Sequence, residues 1–359
     1  MSEKADLERL SVLIVEDNSF IRDLLSDVMR SIGIGRIFTA EDGRDAIELL
    51  QTVATDPLKA GISVIDIVIS DVYMPSLDGR MLLRWIRTSS KSPDRFVPTL
   101  MISGAADRDI VRNCRDLGAS EFLAKPFSAT IIADKILHTI MRPRKFILGP
   151  TYFGPERRRT ELFQDTERRL VKKEDIQIIH SDKPPKAMRD DAQVIHFVFR
   201  NRLSDKIGAY NLKGVPEIDM SLIEQAEKKI EGMAGDYADW VSKSIRQLAR
   251  SLKQLQEGEG DSKEIMEKLN ILAHEFRGQG GIFGYPLVTK FGKSLYDATL
   301  DVNAKITPSH VDFFKAHVDA INAVMNEKIK GNGGEIGKSL LEGLEQAQAN
   351  FAEKSSVVS

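Results

Sequence analysis

Short apolar, β-branched runs alternate with stretches of helical period through the first 143 residues. SVLIV (11–15), IDIVIS (65–70), TLMIS (99–103) and EFLA (121–124) have the length and composition of buried strands, and RIFTA (36–40) is a weaker run of the same kind. Between them, Ile21, Leu24, Leu25, Val28 and Met29 mark one helix face, and Met81, Leu82, Trp85 and Ile86 mark another. Such alternation predicts an α/β doubly wound sheet of five parallel strands covered on both faces. Sites in such sheets lie beyond the carboxyl ends of the strands.

From about residue 216 the period becomes helical throughout. Segments near 219–232, 235–256, 261–283, 287–301, 308–329 and 335–351 are separated by Gly, Asp or Pro, and Thr307–Pro308 supplies a cap followed by a first-turn proline. Helices of this length with short connections predict a separate all-α bundle.

Composition alters this picture little. The chain has 359 residues, 42% hydrophobic and 29% charged, with a formal net charge of −2, so nothing global points to nucleic acid or anionic membrane. Cys114 is the single cysteine, in step with Ile110 and Leu117, and is expected in the core. One cysteine allows no disulfide framework and suits a reducing, cytoplasmic setting. The opening hydrophobic run is too short for a signal peptide, and no apolar stretch approaches the roughly 20 residues of a membrane helix.

Chemistry collects at the strand ends. Glu16 and Asp17 follow the first strand, Asp71 ends the third, Ser103 the fourth, and Lys125 with Pro126 the fifth. Singly, Asp17 or Asn18 could cap the next helix, Asp71 could open a turn and Lys125 could be solvated. Together, three carboxylates in one crevice repel unless a cation neutralises them. All-oxygen ligands suit Mg²⁺, which also bridges phosphoryl oxygens, while Ser103 and Lys125 can hold the remaining oxygens of a phosphoryl group carried on one carboxylate.

The segments VLIVEDN, ISDVYMPSLDG, MISG and EFLAKPF resemble the signature segments of response regulator receiver domains, over about residues 9–141. The resemblance implies a flavodoxin-like strand order, phosphoryl acceptance by Asp71, and Mg²⁺ held by Glu16, Asp17, Asp71 and the backbone carbonyl of Tyr73. It also implies a switch hydroxyl on Ser103, a counter-ion in Lys125 and a state-reporting aromatic in Phe122.

Between residues 142 and 173 stand ten Lys or Arg against four Asp or Glu, including the run FGPERRRTELF. A docking strip for an acidic surface or nucleic acid competes with a solvated linker; without aromatic–basic interleaving the linker is the better reading. DIQIIH (175–180) and AQVIHFVF (192–199) suggest two short strands, a hairpin that would need a neighbouring domain to pack on. Their histidines, His180 and His196, lack the companions of a metal site.

The stretch LNILAHEFRGQGGIFG (269–284) weakens a helix with Gly278, Gly280 and Gly281 just beyond His274. Ile265, Leu269, Leu272 and Phe276 form a narrow stripe at 100° per residue, and His274 falls nearly opposite it, toward solvent. Glycine on that face would let a bulky partner approach, Arg277 could meet phosphoryl oxygens, and a neutral imidazole can accept a phosphoryl group. AHEFRGQGGIFG resembles the phosphoacceptor segment of histidine phosphotransfer (HPt) domains, with a basic residue at +3 and glycines at +4 and +10. HEFR is also similar to the histidine box of sensor kinases. The usual Thr-Pro continuation and the nucleotide-binding boxes do not follow, and about 30 residues beyond NEKIK leave no room for an ATPase domain.

The expectation is therefore a receiver at 1–143, a basic linker at 144–215 and an HPt-like bundle at 216–351. Such a bacterial-type phosphorelay protein would have no kinase domain of its own. Asp71 and His274 would carry phosphoryl groups, with Ser103, Lys125 and Arg277 assisting. A sensor histidine kinase and other receiver or phosphotransfer proteins would be its partners; nucleic acid and membrane insertion are not expected. The competing reading keeps the receiver and makes the helical part a binding output module without chemistry at His274.

Overall fold

A computed structural model of the chain describes residues 5–62, 64–104, 108–157, 176–180, 194–198, 200–209, 216–257, 261–301 and 306–356. Two compact units divide at Lys229 and Ile230. In the first, β1 (Ser11–Val15), β2 (Arg36–Ala40), β3 (Ile67–Asp71), β4 (Thr99–Ser103) and β5 (Glu121–Ala124) form a parallel sheet in the order β2-β1-β3-β4-β5. Every residue of β1, β3 and β4 is buried, as a sheet covered on both faces requires. Its helices are α1 (Ser19–Ser31), α2 (Gly43–Thr55), the short α3 (Pro57–Ala60), α4 (Gly79–Thr88), α5 (Arg108–Asp116) and α6 (Ala129–Met141).

Helix α4 corrects the expected face. Leu82 and Ile86 are buried, but Met81 is 59% exposed and the buried positions continue to Leu83 and Arg87. The Arg87 guanidinium donates to the carbonyls of Gly118 and Arg95, at 2.9 Å each, and to Thr99 Oγ1 at 3.3 Å. These oxygens make its burial tolerable, although desolvation still pulls its pKa down to about 10.

The segment expected as a linker contains a second sheet. β6 (Phe146–Gly149), β7 (Tyr152–Pro155), β8 (Ile176–Ile179) and β9 (Val194–Phe197) pair in the order β7-β6-β9-β8. The two strands expected as a hairpin, β8 and β9, are parallel neighbours, and β9 pairs antiparallel with β6 on its other edge. The sheet's apolar face closes on Phe96, from the loop before β4, through Phe146, Phe153, Ile195 and Phe197. The arginine run beyond Arg157 and the KPP segment lie outside the described residues. After α7 (Arg202–Lys206) comes α8 (Met220–Gly232), which carries the division between the units.

The second unit is a bundle. α9 (Ala234–Gln256), α10 (Ser262–Gln279), α11 (Pro286–Ala298) and α12 (Pro308–Asn326) each touch the next, α12 returns to α9, and α13 (Gly334–Ser356) packs on α12. Phe276, Phe291, Phe314 and Tyr237 are fully buried in it. Gly280 and Gly292 set the closeness of α10 and α11. A Cβ on Gly280 would lie 2.8 Å from Tyr285 O and Thr289 N, and one on Gly292 would lie 2.5 Å from Arg277 N. No helix among the described residues is long and apolar enough to cross a membrane.

Candidate functional site

The parallel register places Asp71 at the carboxyl end of β3, beside Ile102, and Ser103 opposite Ala124, one residue before Lys125. Asn18 caps α1, accepting from Ile21 N at 3.0 Å, so the carboxylate beside it is left to the crevice. Arg22, which sequence reasoning missed, braces the acidic turn by donating to the Glu16 carbonyl at 2.8 Å and the Asp17 carbonyl at 3.3 Å. Its signal was an arginine one turn into the helix that follows two acids.

Glu16, Asp71 and Lys125 meet in one buried cluster. Lys125 Nζ donates to Asp71 Oδ2 at 2.5 Å and to Glu16 Oε2 at 3.0 Å, with all three side chains 5% exposed or less. Asp71 Oδ1 accepts from Val72 N at 2.5 Å and Tyr73 N at 3.3 Å. Burial opposes the charge on Lys125, but Asp71 and Glu16 outweigh it and hold its pKa above the usual lysine value. The lysine therefore stays cationic.

This geometry revises the argument from repulsion. The cation that neutralises Glu16 and Asp71 is Lys125, and among the described residues no group of three His, Cys, Asp or Glu is drawn together as a metal cage. Asp17 is the remaining acid. Burial, and then the negative charge of Asp71, raises its pKa, and Lys125 only partly relieves this. A half-buried carboxylate in the field of a second one is a donor set that a hard divalent cation fits.

Ser103 is fully buried, and its carbonyl accepts from Lys125 N at 2.8 Å. Phe122 is partly buried against Val72, Leu83, Met101, Cys114 and Ala119. Cys114 is a core residue, its thiol pushed up to about 11 by burial. Gly79 is a second position that sequence reasoning passed over: a Cβ there would sit 1.8 Å from the Asp71 carbonyl, so the turn after β3 closes only over glycine.

The second candidate histidine lies elsewhere. His274 is on α10 in the second unit, half-buried rather than projecting into solvent. Met266 and Ala273 are buried where Leu272 is only partly so, which, with Gln279 also buried, turns the stripe toward His274 by roughly 25° at 100° per residue. Tyr296 of α11 covers that flank, 5.5 Å from the His274 ring and 5.1 Å under the Arg277 guanidinium. His180 is exposed after β8, and His196 lies on β9, where burial lowers its pKa.

A family model described as response regulator receiver domain matches residues 12–137. The chain is 28% identical over 127 residues to the chemotaxis protein CheY of Pseudomonas aeruginosa, covering 35% of this chain and 93% of that protein. It is 33% identical over 135 residues to the transcriptional regulatory protein PdtaR of Mycobacterium tuberculosis, covering 37% of this chain and only 58% of that protein. Among solved structures, the receiver domain of the sensor histidine kinase PA1611 from Pseudomonas aeruginosa has a magnesium ion coordinated in its active site cleft. It is 27% identical over 36% of this chain and 94% of its own, with a TM-score of 0.29. With a five-stranded parallel sheet in the order β2-β1-β3-β4-β5 and this family match, residues 12–137 are a response regulator receiver domain of two-component signalling.

Proposed function

We propose that the chain is a phosphorelay signalling protein in which Asp71 accepts a phosphoryl group from a partner histidine kinase and His274 carries one to or from other receivers. The observation that carries the first half is the Lys125–Asp71–Glu16 cluster at the strand ends. A carboxylate oxygen of Asp71 attacks phosphorus as the kinase imidazole departs with the old P–N bond's electrons. The product places more negative charge on Asp71, and Lys125, already in hydrogen-bond contact, turns its donor to a phosphoryl oxygen. Ser103, at the adjoining strand end, supplies a hydroxyl donor to another. Asp17, Asp71 and the Tyr73 carbonyl would hold Mg²⁺, with Glu16 behind them serving Lys125. When bound, the ion supplies charge neutralisation that lets an anionic donor approach.

The second half rests on the four-helix ring of α9 to α12 and on His274 standing half-exposed there, with Arg277 one turn on and Gly278 beside it. One observation favours the alternative, a bundle that binds a target without accepting phosphate. Gly280 is explained by close helix packing, so part of the glycine pattern needs no docking partner. The chain is read as a phosphotransfer protein dependent on a separate kinase for ATP chemistry.

The test is to label the full chain through a histidine kinase and divide the label by its acid and base stability. Asp71→Asn should remove the base-labile acyl phosphate, and His274→Ala should remove an acid-labile, base-stable fraction. Wild-type protein with only the base-labile label under every donor would leave the binding-module reading.

A further inference from the structure

We infer, on the reading of His274 as a phosphoryl acceptor, that Tyr296 of α11 is a positioning residue for that site. Its ring holds the Arg277 guanidinium beside the imidazole, ready for phosphoryl oxygens.

The placement follows from how α10 and α11 pair. Gly280 meets Thr289, Arg277 meets Gly292, His274 meets Tyr296 and Asn270 meets Thr299, so the two helices run antiparallel in a single register. Both ends of that register are pinned. Asn270 Nδ2 donates to Thr299 O at 3.2 Å and to Thr299 Oγ1 at 3.1 Å, and Gly281 N donates to Thr289 Oγ1 at 2.9 Å. Between them, a Cβ on Gly292 would lie 2.5 Å from Arg277 N, so the helices close to backbone contact there. Tyr296 stands one turn on from Gly292 on the same face and is carried against the flank of α10.

Its half-buried ring then meets two side chains at once. The His274 ring is 5.5 Å away and tilted by 55°, and the Arg277 guanidinium lies 5.1 Å from the ring centroid. A guanidinium at this range is attracted by the negative face of the ring. Among the described residues no carboxylate holds Arg277. That difference matters. A carboxylate would order the arginine and also cancel its charge, whereas an aromatic ring orders it and leaves its N–H donors for phosphoryl oxygens. Tyrosine suits the task because it has two side-chain torsions to fix, against the many rotamers of a free arginine.

The test uses phosphoramidate on the full-length chain carrying Asp71→Asn, in EDTA, with label on His274 followed by phosphorus NMR. An imidazole nitrogen forms the new P–N bond with its lone pair as ammonia leaves with the electrons of the old one. Tyr296→Leu should lower the maximal labelling rate about fivefold, and Tyr296→Phe, which keeps the ring, should hold it near the wild-type value. Arg277→Ala should lower it about tenfold. Adding Tyr296→Leu to Arg277→Ala should cost nothing further, because the ring acts through the guanidinium. The Arg277 side-chain N–H should also show an aromatic ring-current shift that Tyr296→Leu removes while helicity is kept. A folded Tyr296→Leu chain that labels at the wild-type rate would overturn the proposal, as would the same loss repeated in the Arg277→Ala background. An intact ring-current shift with no label on His274 in any chain would remove the phosphotransfer reading itself, and the positioning role with it.

Discussion

Lys125 takes two of the three carboxylates at the strand ends and leaves Asp17 in the field of Asp71. A carboxyl group whose folded pKa is raised binds protons more readily in the folded state, so the protein gains stability as pH falls through that value and loses it as pH rises. At pH 7 the ionised Asp17 is therefore a cost in metal-free protein. Asp17→Asn should raise the urea midpoint of the receiver in EDTA at pH 7, and the advantage should shrink in acid. Mg²⁺ should stabilise the wild type more than this variant; equal Mg²⁺ effects would show that Asp17 takes no part in binding the ion. The convergence of these residues was legible because strand ends in a parallel sheet must share one edge. That Lys125 already neutralises two of them was not, since a lysine serving phosphate and one serving carboxylates look alike along the chain. Arg87 was less legible still: a charged residue on a buried face follows from three oxygens brought from Arg95, Thr99 and Gly118, far apart in sequence.

At the scale of elements, the five strands of the large sheet were readable as apolar runs, whereas β6 and β7 were not. Each has four residues, Gly149, Gly154 and Pro155 interrupt their apolar period, and the pairing of β6 with β9 spans dozens of residues. The reading of α10 failed for a related reason: periodicity finds a stripe, but Tyr296 on α11 decides how far the flank is covered. The contact between α10 and α11 yields a sharp expectation. Gly280→Ala, at the C-cap of α10, should destabilise the bundle by about 1–3 kcal/mol, because the new Cβ meets backbone atoms that cannot yield easily. Trp240, 5.7 Å from Phe276, reports this in a Trp85→Phe background, which leaves it the only tryptophan. Gly278→Leu tests access instead: the bundle should stay folded while transfer between His274 and partner receivers slows, and an unchanged rate would remove the docking role. The same fluorescence follows His317, which is fully buried on α12. Its Nδ1 donates to Phe313 O and its Nε2 accepts from Ser294 Oγ, at 2.8 Å each. Burial pulls its pKa from 6.5 to about 4, so the folded bundle refuses a proton that the unfolded chain accepts. Stability should hold above about pH 6.5 and fall by about 2 kcal/mol between pH 7 and pH 5. His310, also lowered by burial, adds in the same direction, and His317→Gln should flatten most of the slope.

For the whole molecule, the question is whether Asp71 and His274 exchange within one chain. A flexible tether of some 70 residues between the domains would span about 45 Å and give an effective concentration near millimolar. The described residues of that stretch are not a tether of this kind. Within 144–215 the four strands β6 to β9 form a sheet packed on Phe96, and the division between the units falls inside α8. Residues held in those strands cannot serve as free coil, so the estimate for a fully flexible tether does not apply, and foreign receivers are expected to compete on better terms. Label placed on Asp71 by a small phosphodonor should therefore reach His274 at a rate that rises with protein concentration, and added isolated receiver should draw it away. Mixing a labelled chain lacking His274 with an unlabelled chain lacking Asp71 should then restore transfer at close to the wild-type rate. Transfer that is fast, independent of concentration and lost in the mixed pair would instead make the protein a self-contained relay.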